Sequence, residues 1–172
     1  MKLPWIAGAA FTILLVALAP ERDEAPLAVD REEASPPLAT VLRVLEPASE
    51  PQLLDGWHRV EEAQWRWTRR RFRAVLRPPE AGRDATLRLH FELPAALVER
   101  LGSIRIAAIV SGHSLPARYY NREGQHVYEQ KVPLERLSGE AVVAEFVLDK
   151  ALEPTPDDPR ELGILVSQVG LY

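Results

Sequence analysis

Residues 85–93 read ATLRLHFEL. In an extended chain successive side chains point to opposite faces, so Leu87, Leu89, Phe91 and Leu93 share one face while Arg88, His90 and Glu92 share the other. That is a half-buried strand, and its period of two recurs along the chain. FRAVLR (72–77) sets Phe72, Ala74 and Leu76 against Arg71, Arg73 and Arg77. TVLRVL (40–45), QLLDGWHRV (52–60), SIRIAAIV (103–110), QHVYEQKV (125–132), AVVAEFVL (141–148) and ELGILVSQVGL (161–171) read as further strands. Turn chemistry separates them at Ser111-Gly112, at Asn121 through Gly124 and at Ser138-Gly139. Only PAALVERLG (94–102), opened by Pro and closed by Gly, predicts a helix, of about two turns. SGHSLP (111–116) lacks the second glycine of a nucleophile elbow and reads as a tight turn. The expectation is an all-β domain, a two-sheet antiparallel β-sandwich of jelly-roll type.

The 172 residues divide into three parts. Residues 1–20 carry one lysine and an uncharged run from Leu3 to Pro20. This N-terminal hydrophobic helix is read as a signal peptide or a signal anchor, long enough to reach the lower limit for a membrane span. Ala17-Leu18-Ala19 supplies a small-x-small cleavage pattern, although Pro20 would follow the scissile bond. Residues 21–37 hold six acidic residues, two basic residues and three prolines, the composition of a flexible tether. Residues 38–172 form the sandwich. The expected location is outside the cytoplasm, inner-membrane-anchored with a periplasmic domain, or soluble in the periplasm if the signal is removed. Membrane contact would run through residues 3–20. No cysteine is present, so neither disulfides nor thiolate metal sites are available.

One stretch concentrates unusual chemistry. DGWHRVEEAQWRWTRRRF (55–72) holds three of the four tryptophans and five of the eighteen arginines. Three readings compete: a nucleic-acid patch, a sugar-binding surface, and a structural strand with a solvated arginine face. Arg66, Arg69, Arg70, Arg71, Arg73 and Arg77 place six positive charges within twelve residues, with Trp67 and Phe72 between them. Such a mixture can track phosphates and stack bases. The chain's net charge of −4 and its export signal argue against a nucleic-acid partner. As a sugar site, Trp65 and Trp67 would share a strand face and form a stacking platform. As structure, Trp57 and Trp67 would be core anchors, and Glu61 and Arg160 would pair to tie the first and last strands together.

The motifs in this stretch and near the C-terminus resemble those of a β-sandwich domain in bacterial cell-envelope proteins, often an accessory domain beside glycosyltransferases. Gly56, Trp57, Glu61, Arg66 and Trp67 match its first motif; Asp158, Arg160, Leu162, Gly163, Ile164 and Val166 match its second. The resemblance spans roughly residues 52–171. It implies a carbohydrate-binding-module-like fold without catalytic residues of its own, and partners that are envelope glycans or polysaccharide-assembly proteins. The candidate ligand residues are therefore Trp57, Trp65, Trp67, Arg66, Glu61, Asp158 and Arg160.

No cofactor, metal or catalytic centre is expected. His58, His90, His113 and His126 show no ligand spacing and read as solvated, on polar strand faces or in loops. Asp157-Asp158 could be half a calcium site, but capping a turn is the commoner role. A small glycan hydrolase would need two carboxyls across a cleft. A membrane-tethered subunit that binds another envelope protein is the alternative function.

Overall fold

The structure is a computed structural model that describes residues 37–79 and 84–172; the hydrophobic segment 1–20 and nearly all of the 21–37 tether lie outside them. The described residues form nine strands: β1 (Val41–Arg43), β2 (Leu53–Glu61), β3 (Trp65–Leu76), β4 (Ala85–Leu93), β5 (Ile104–Val110), β6 (His113–Tyr120), β7 (Gly124–Val132), β8 (Val142–Leu148) and β9 (Leu165–Leu171). One short helix, α1 (Ala95–Leu101), follows β4, with Pro94 before it and Gly102 behind it. All strand pairs are antiparallel. Sheet I runs β7-β4-β9, and the far edge of β9 is shared by β1 and the beginning of β3. Sheet II runs β6-β5-β8-β3-β2. The twelve residues of β3 thus cross from one sheet to the other, pairing Trp67 with Leu165 in sheet I and Arg71–Leu76 with β8 in sheet II.

The period-two pattern becomes the core. Leu87, Leu89, Phe91 and Leu93 are buried, as are Ile104, Ile106, Ala108 and Val110 of β5 and Val142, Ala144, Phe146 and Leu148 of β8. Phe72 stacks on Phe146 at 5.2 Å, and Tyr128 meets Phe146 edge-on across the two sheets at 6.1 Å. Aromatic pairs at these separations add to the burial of their area. The sheet edges β6 and β7 are joined by side chains: Tyr120 donates to the Val127 carbonyl (3.0 Å) and Tyr128 to the Pro116 carbonyl (2.8 Å). Burial pushes the Tyr128 hydroxyl up to about 12.

Three expectations change. Residues 113–116 are not part of a tight turn; only Ser111 and Gly112 turn, with φ of 47° and 80°, and β6 starts at His113. Most of β6 lies open to solvent, so it carries no apolar alternation by which a strand is recognised. The last strand begins at Leu165 rather than at Glu161, because Leu162 instead forms an isolated bridge to Leu152. Neither His58 nor His126 is solvated on a polar face: His58 is half-buried and bonded through Nε2 to the Glu161 carbonyl, and His126 is half-buried, stacked on Phe91 at 5.6 Å and bonded through Nε2 to the Arg122 carbonyl at 2.8 Å.

Candidate functional site

The Trp–Arg stretch forms the β2–β3 hairpin, and the hairpin sorts its residues into two groups. Trp57 packs edge-on against Phe72 at 5.0 Å and donates its indole N–H to the Arg73 carbonyl at 2.7 Å. Arg66 is 5% exposed; its guanidinium binds both oxygens of Glu50 (2.6 and 3.0 Å) and the carbonyls of Val44 and His58. These contacts hold the Glu50 carboxyl below its usual range. Trp67 is half-buried and packs against the core. Trp57 and Arg66 are therefore taken up by the fold, with Gly56 beside them for the same reason. Gly56 has φ of 79°, and a Cβ there would sit 2.0 Å from the Arg71 carbonyl oxygen.

Glu61, Asp158 and Arg160 come together as one cluster. Asp158 accepts from Nε and Nη2 of Arg160 at 2.9 and 2.8 Å, while Glu61 accepts from Nη1. The paired guanidinium holds the Asp158 carboxyl down to about 2 and is itself raised by the two carboxylates. With both Asp158 oxygens engaged by Arg160, this residue is a poor start for a calcium site. Among the described residues no group of three or more His, Cys, Asp or Glu is placed to hold a metal ion. His58 Nε2 bonds the Glu161 carbonyl at 2.7 Å, and Glu161 accepts from the Arg70 backbone N–H, also at 2.7 Å. The segment before β9 is thereby fastened to the hairpin. Gly163 lies in the same seam, where a Cβ would come within 2.7 Å of the Arg69 carbonyl oxygen.

The arginine run does not form one positive face. Arg66 is inside, Arg70 pairs with Glu153 (2.7 Å), Arg71 with Glu145 (3.0 Å) and Arg73 with Asp55 (2.7 Å). Four acids drawn from elsewhere in the chain thus pair with four of the six arginines, while Arg69 and Arg77 have no ion-pair partner among the described residues.

Trp65 behaves differently from its neighbours. Glu62 and Ala63 take left-handed backbone (φ 50° and 55°), turning the hairpin so that Trp65 starts β3 with 37% of its surface exposed. It borders a groove of about 270 Å³ on the outer face of sheet I. Gln64 accompanies it from the turn; His90 and Glu92 come from β4, Gln125 and Val127 from β7, and Leu165 and Ser167 from β9. Ser167 is the extra residue of a bulge, since the register slips between His90–Gln168 and Phe91–Val166. The side-chain polar groups of Gln64, Trp65, His90, Glu92 and Gln125 take no hydrogen-bond partner among the described residues. The site thus pairs an open indole with a set of unengaged donors and acceptors.

Sequence reasoning singled out Trp65 but missed His90, Glu92, Gln125 and Ser167. These are ordinary polar strand positions, brought together only by the β7-β4-β9 register.

No protein-family model and no curated protein matches the sequence. Solved structures do match in fold. The chain is similar to part of a family GH115 4-O-methyl-α-glucuronidase with specificity for decorated arabinogalactans, with a TM-score of 0.50 and 10% identity, over 86% of this chain and 18% of that one. It is also similar to a family 35 carbohydrate-binding module from an environmental isolate (TM-score 0.44, 9% identity, 70% of this chain and 82% of that one). A CBM36 carbohydrate-binding module in complex with calcium and xylotriose matches with a TM-score of 0.37 and 9% identity, over 59% and 72%. The likeness is one of fold. It is a β-sandwich of the kind that the motifs across residues 52–171 imply.

Proposed function

We propose that this chain is a noncatalytic glycan-binding module of the bacterial cell envelope, holding its ligand along the outer face of sheet I. The observation that carries this reading is Trp65, exposed at the rim of a groove in which the Gln64, His90, Glu92 and Gln125 side chains are unengaged. Sugar rings have apolar C–H faces that lie against an indole and hydroxyls that exchange hydrogen bonds with Gln, Glu and His side chains. A sandwich alone assigns no function, since one fold hosts many; that a glycan-acting enzyme contains a similar sandwich agrees with the reading. Among the described residues Glu92 is the one carboxylate lining the groove, whereas glycoside hydrolysis canonically uses a pair of carboxyls. This supports binding over catalysis.

Export is part of the same proposal and rests on residues 1–20 alone. Among the described residues no helix is long and apolar enough to cross a membrane. With the hydrophobic segment as anchor or signal, the module would work at the envelope, beside polysaccharide assembly.

The test is affinity electrophoresis of the protein through gels containing a panel of soluble polysaccharides. Retardation by at least one of them, abolished by Trp65→Ala and kept by Trp57→Phe, is the expected result. Equal mobility of the wild-type protein in every gel would contradict the proposal.

A further inference from the structure

The groove's charge, rather than its shape, narrows the ligand class. Among the described residues that line it, Glu92 is the one side chain with a fixed charge, and no Arg or Lys reaches in. Its Trp65 end is also acidic. The register sets Trp65 directly opposite Glu61, with Glu62 in the adjoining turn and Asp158 in the same cluster, where Arg160 is the cation that pairs with Glu61 and Asp158. At the other end of the face Arg88 is neutralised by Glu129 at 2.6 Å and lies over the Tyr172 ring. Arg122 lines a separate recess beside α1, together with Glu99 and Glu123. Of the hairpin arginines, Arg70, Arg71 and Arg73 are held by acids from elsewhere in the chain, and no hairpin arginine lines the groove.

Resting on the glycan-binding reading above, we infer that this groove selects uncharged glycans and rejects uronate-, sulfate- or phosphate-bearing ones, with Glu92 as the discriminating residue. An acidic sugar stacked on Trp65 would bring its carboxylate or phosphate within a Debye length of Glu92 and Glu61, with no cation in the groove to receive it. Specificity of this kind comes from a repulsive element aimed at the wrong ligand as much as from attraction to the right one. The unengaged Gln64 and Gln125 amides offer both donors and acceptors, which suits neutral hydroxyls.

The test uses polymer pairs that share a backbone and differ in charge: hydroxyethylcellulose against carboxymethylcellulose, and dextran against dextran sulfate. Each is titrated against the full-length protein and its Trp65→Ala and Glu92→Gln variants. For any pair whose binding depends on Trp65, the neutral member should bind at least about tenfold tighter. Glu92→Gln should narrow that ratio to within about threefold, and raising the salt to about 0.5 M should narrow it as well, because screening weakens the repulsion. Trp65-dependent binding of the acidic member as tight as the neutral one, or a ratio that Glu92→Gln and salt leave unchanged, overturns this inference while leaving the glycan-binding reading intact. Absence of Trp65-dependent binding to every polymer overturns that reading, and the inference with it.

Discussion

The outer faces of the two sheets use their polar side chains in opposite ways. On the sheet II side, Arg71 meets Glu145, Arg73 meets Asp55, and the neighbouring Arg66 is folded inward onto Glu50. Each of these charges has a partner from the same chain and needs no ligand to balance it. On the Trp65 side of sheet I, Gln64, His90, Glu92 and Gln125 surround an exposed indole, and their side chains bond nothing among the described residues. Both surfaces are rich in polar residues; those named beside the hairpin are paired within the chain, whereas the Trp65 groove leaves its hydrogen-bonding capacity and its indole available. Substitutions on the first side should therefore register in stability, and those on the second in binding.

The strongest way to break this contrast is at Gly56. With φ of 79° and the Arg71 carbonyl oxygen 2.0 Å from where a methyl group would project, Gly56→Ala should destabilise the protein by at least about 3 kcal/mol, read by denaturant unfolding. A variant of near wild-type stability would mean that β2 does not press so closely on β3. Trp65→Ala should do the reverse. Its unfolding free energy should change by about 2 kcal/mol or less, clearly below Gly56→Ala, since 37% of its surface is exposed, while glycan affinity falls about 30-fold, as for a binding hot spot. Loss of stability comparable with that of Gly56→Ala would mark Trp65 as structural and erase the distinction.

Acid sharpens the contrast further. Asp158 has its folded-state pKa lowered to about 2 by Arg160, from an ordinary value near 3.8. A depressed carboxyl contributes stability that is fully present above its unfolded pKa and is lost as pH falls through the folded one. Stability should thus decline between about pH 4 and pH 2, with Glu50 contributing in the same direction. Asp158→Asn should flatten part of that decline, a difference visible in thermal melts across the range. The smallest effect is expected at the paired surface arginines. A double-mutant cycle on Arg71 and Glu145 should give a coupling of less than about 1 kcal/mol, because Arg71 is largely exposed and screened.

How much of this the sequence discloses depends on what each residue does. The strands β4, β5 and β8 are legible because their inward residues are apolar without interruption, and a burial preference of that size leaves its mark at a spacing of two. The Glu61–Arg160 pair is legible because the opposite charges sit in the two motifs that open and close the domain, and the structure brings them together. Strand β6 is not legible: with both faces largely exposed, and with Pro116 and Arg118 on it, neither alternation nor propensity marks it. The groove is illegible for a related reason. His90, Glu92, Gln125 and Ser167 occupy outward positions on three strands that are distant in sequence, and an outward polar residue looks the same whether it meets water or a ligand. His126 shows the converse, a polar residue turned inward between Phe91 and Tyr120 that no local pattern reveals.

The most direct measurement follows the indole N–H signals of isotope-labelled protein by NMR while a polysaccharide that retards it is added. The Trp65 signal should shift progressively and saturate, while that of Trp57, donated to the Arg73 carbonyl, stays in place. A titration in which Trp65 is unmoved, or in which Trp57 responds and Trp65 does not, would contradict the assignment of the sheet I groove as the binding site.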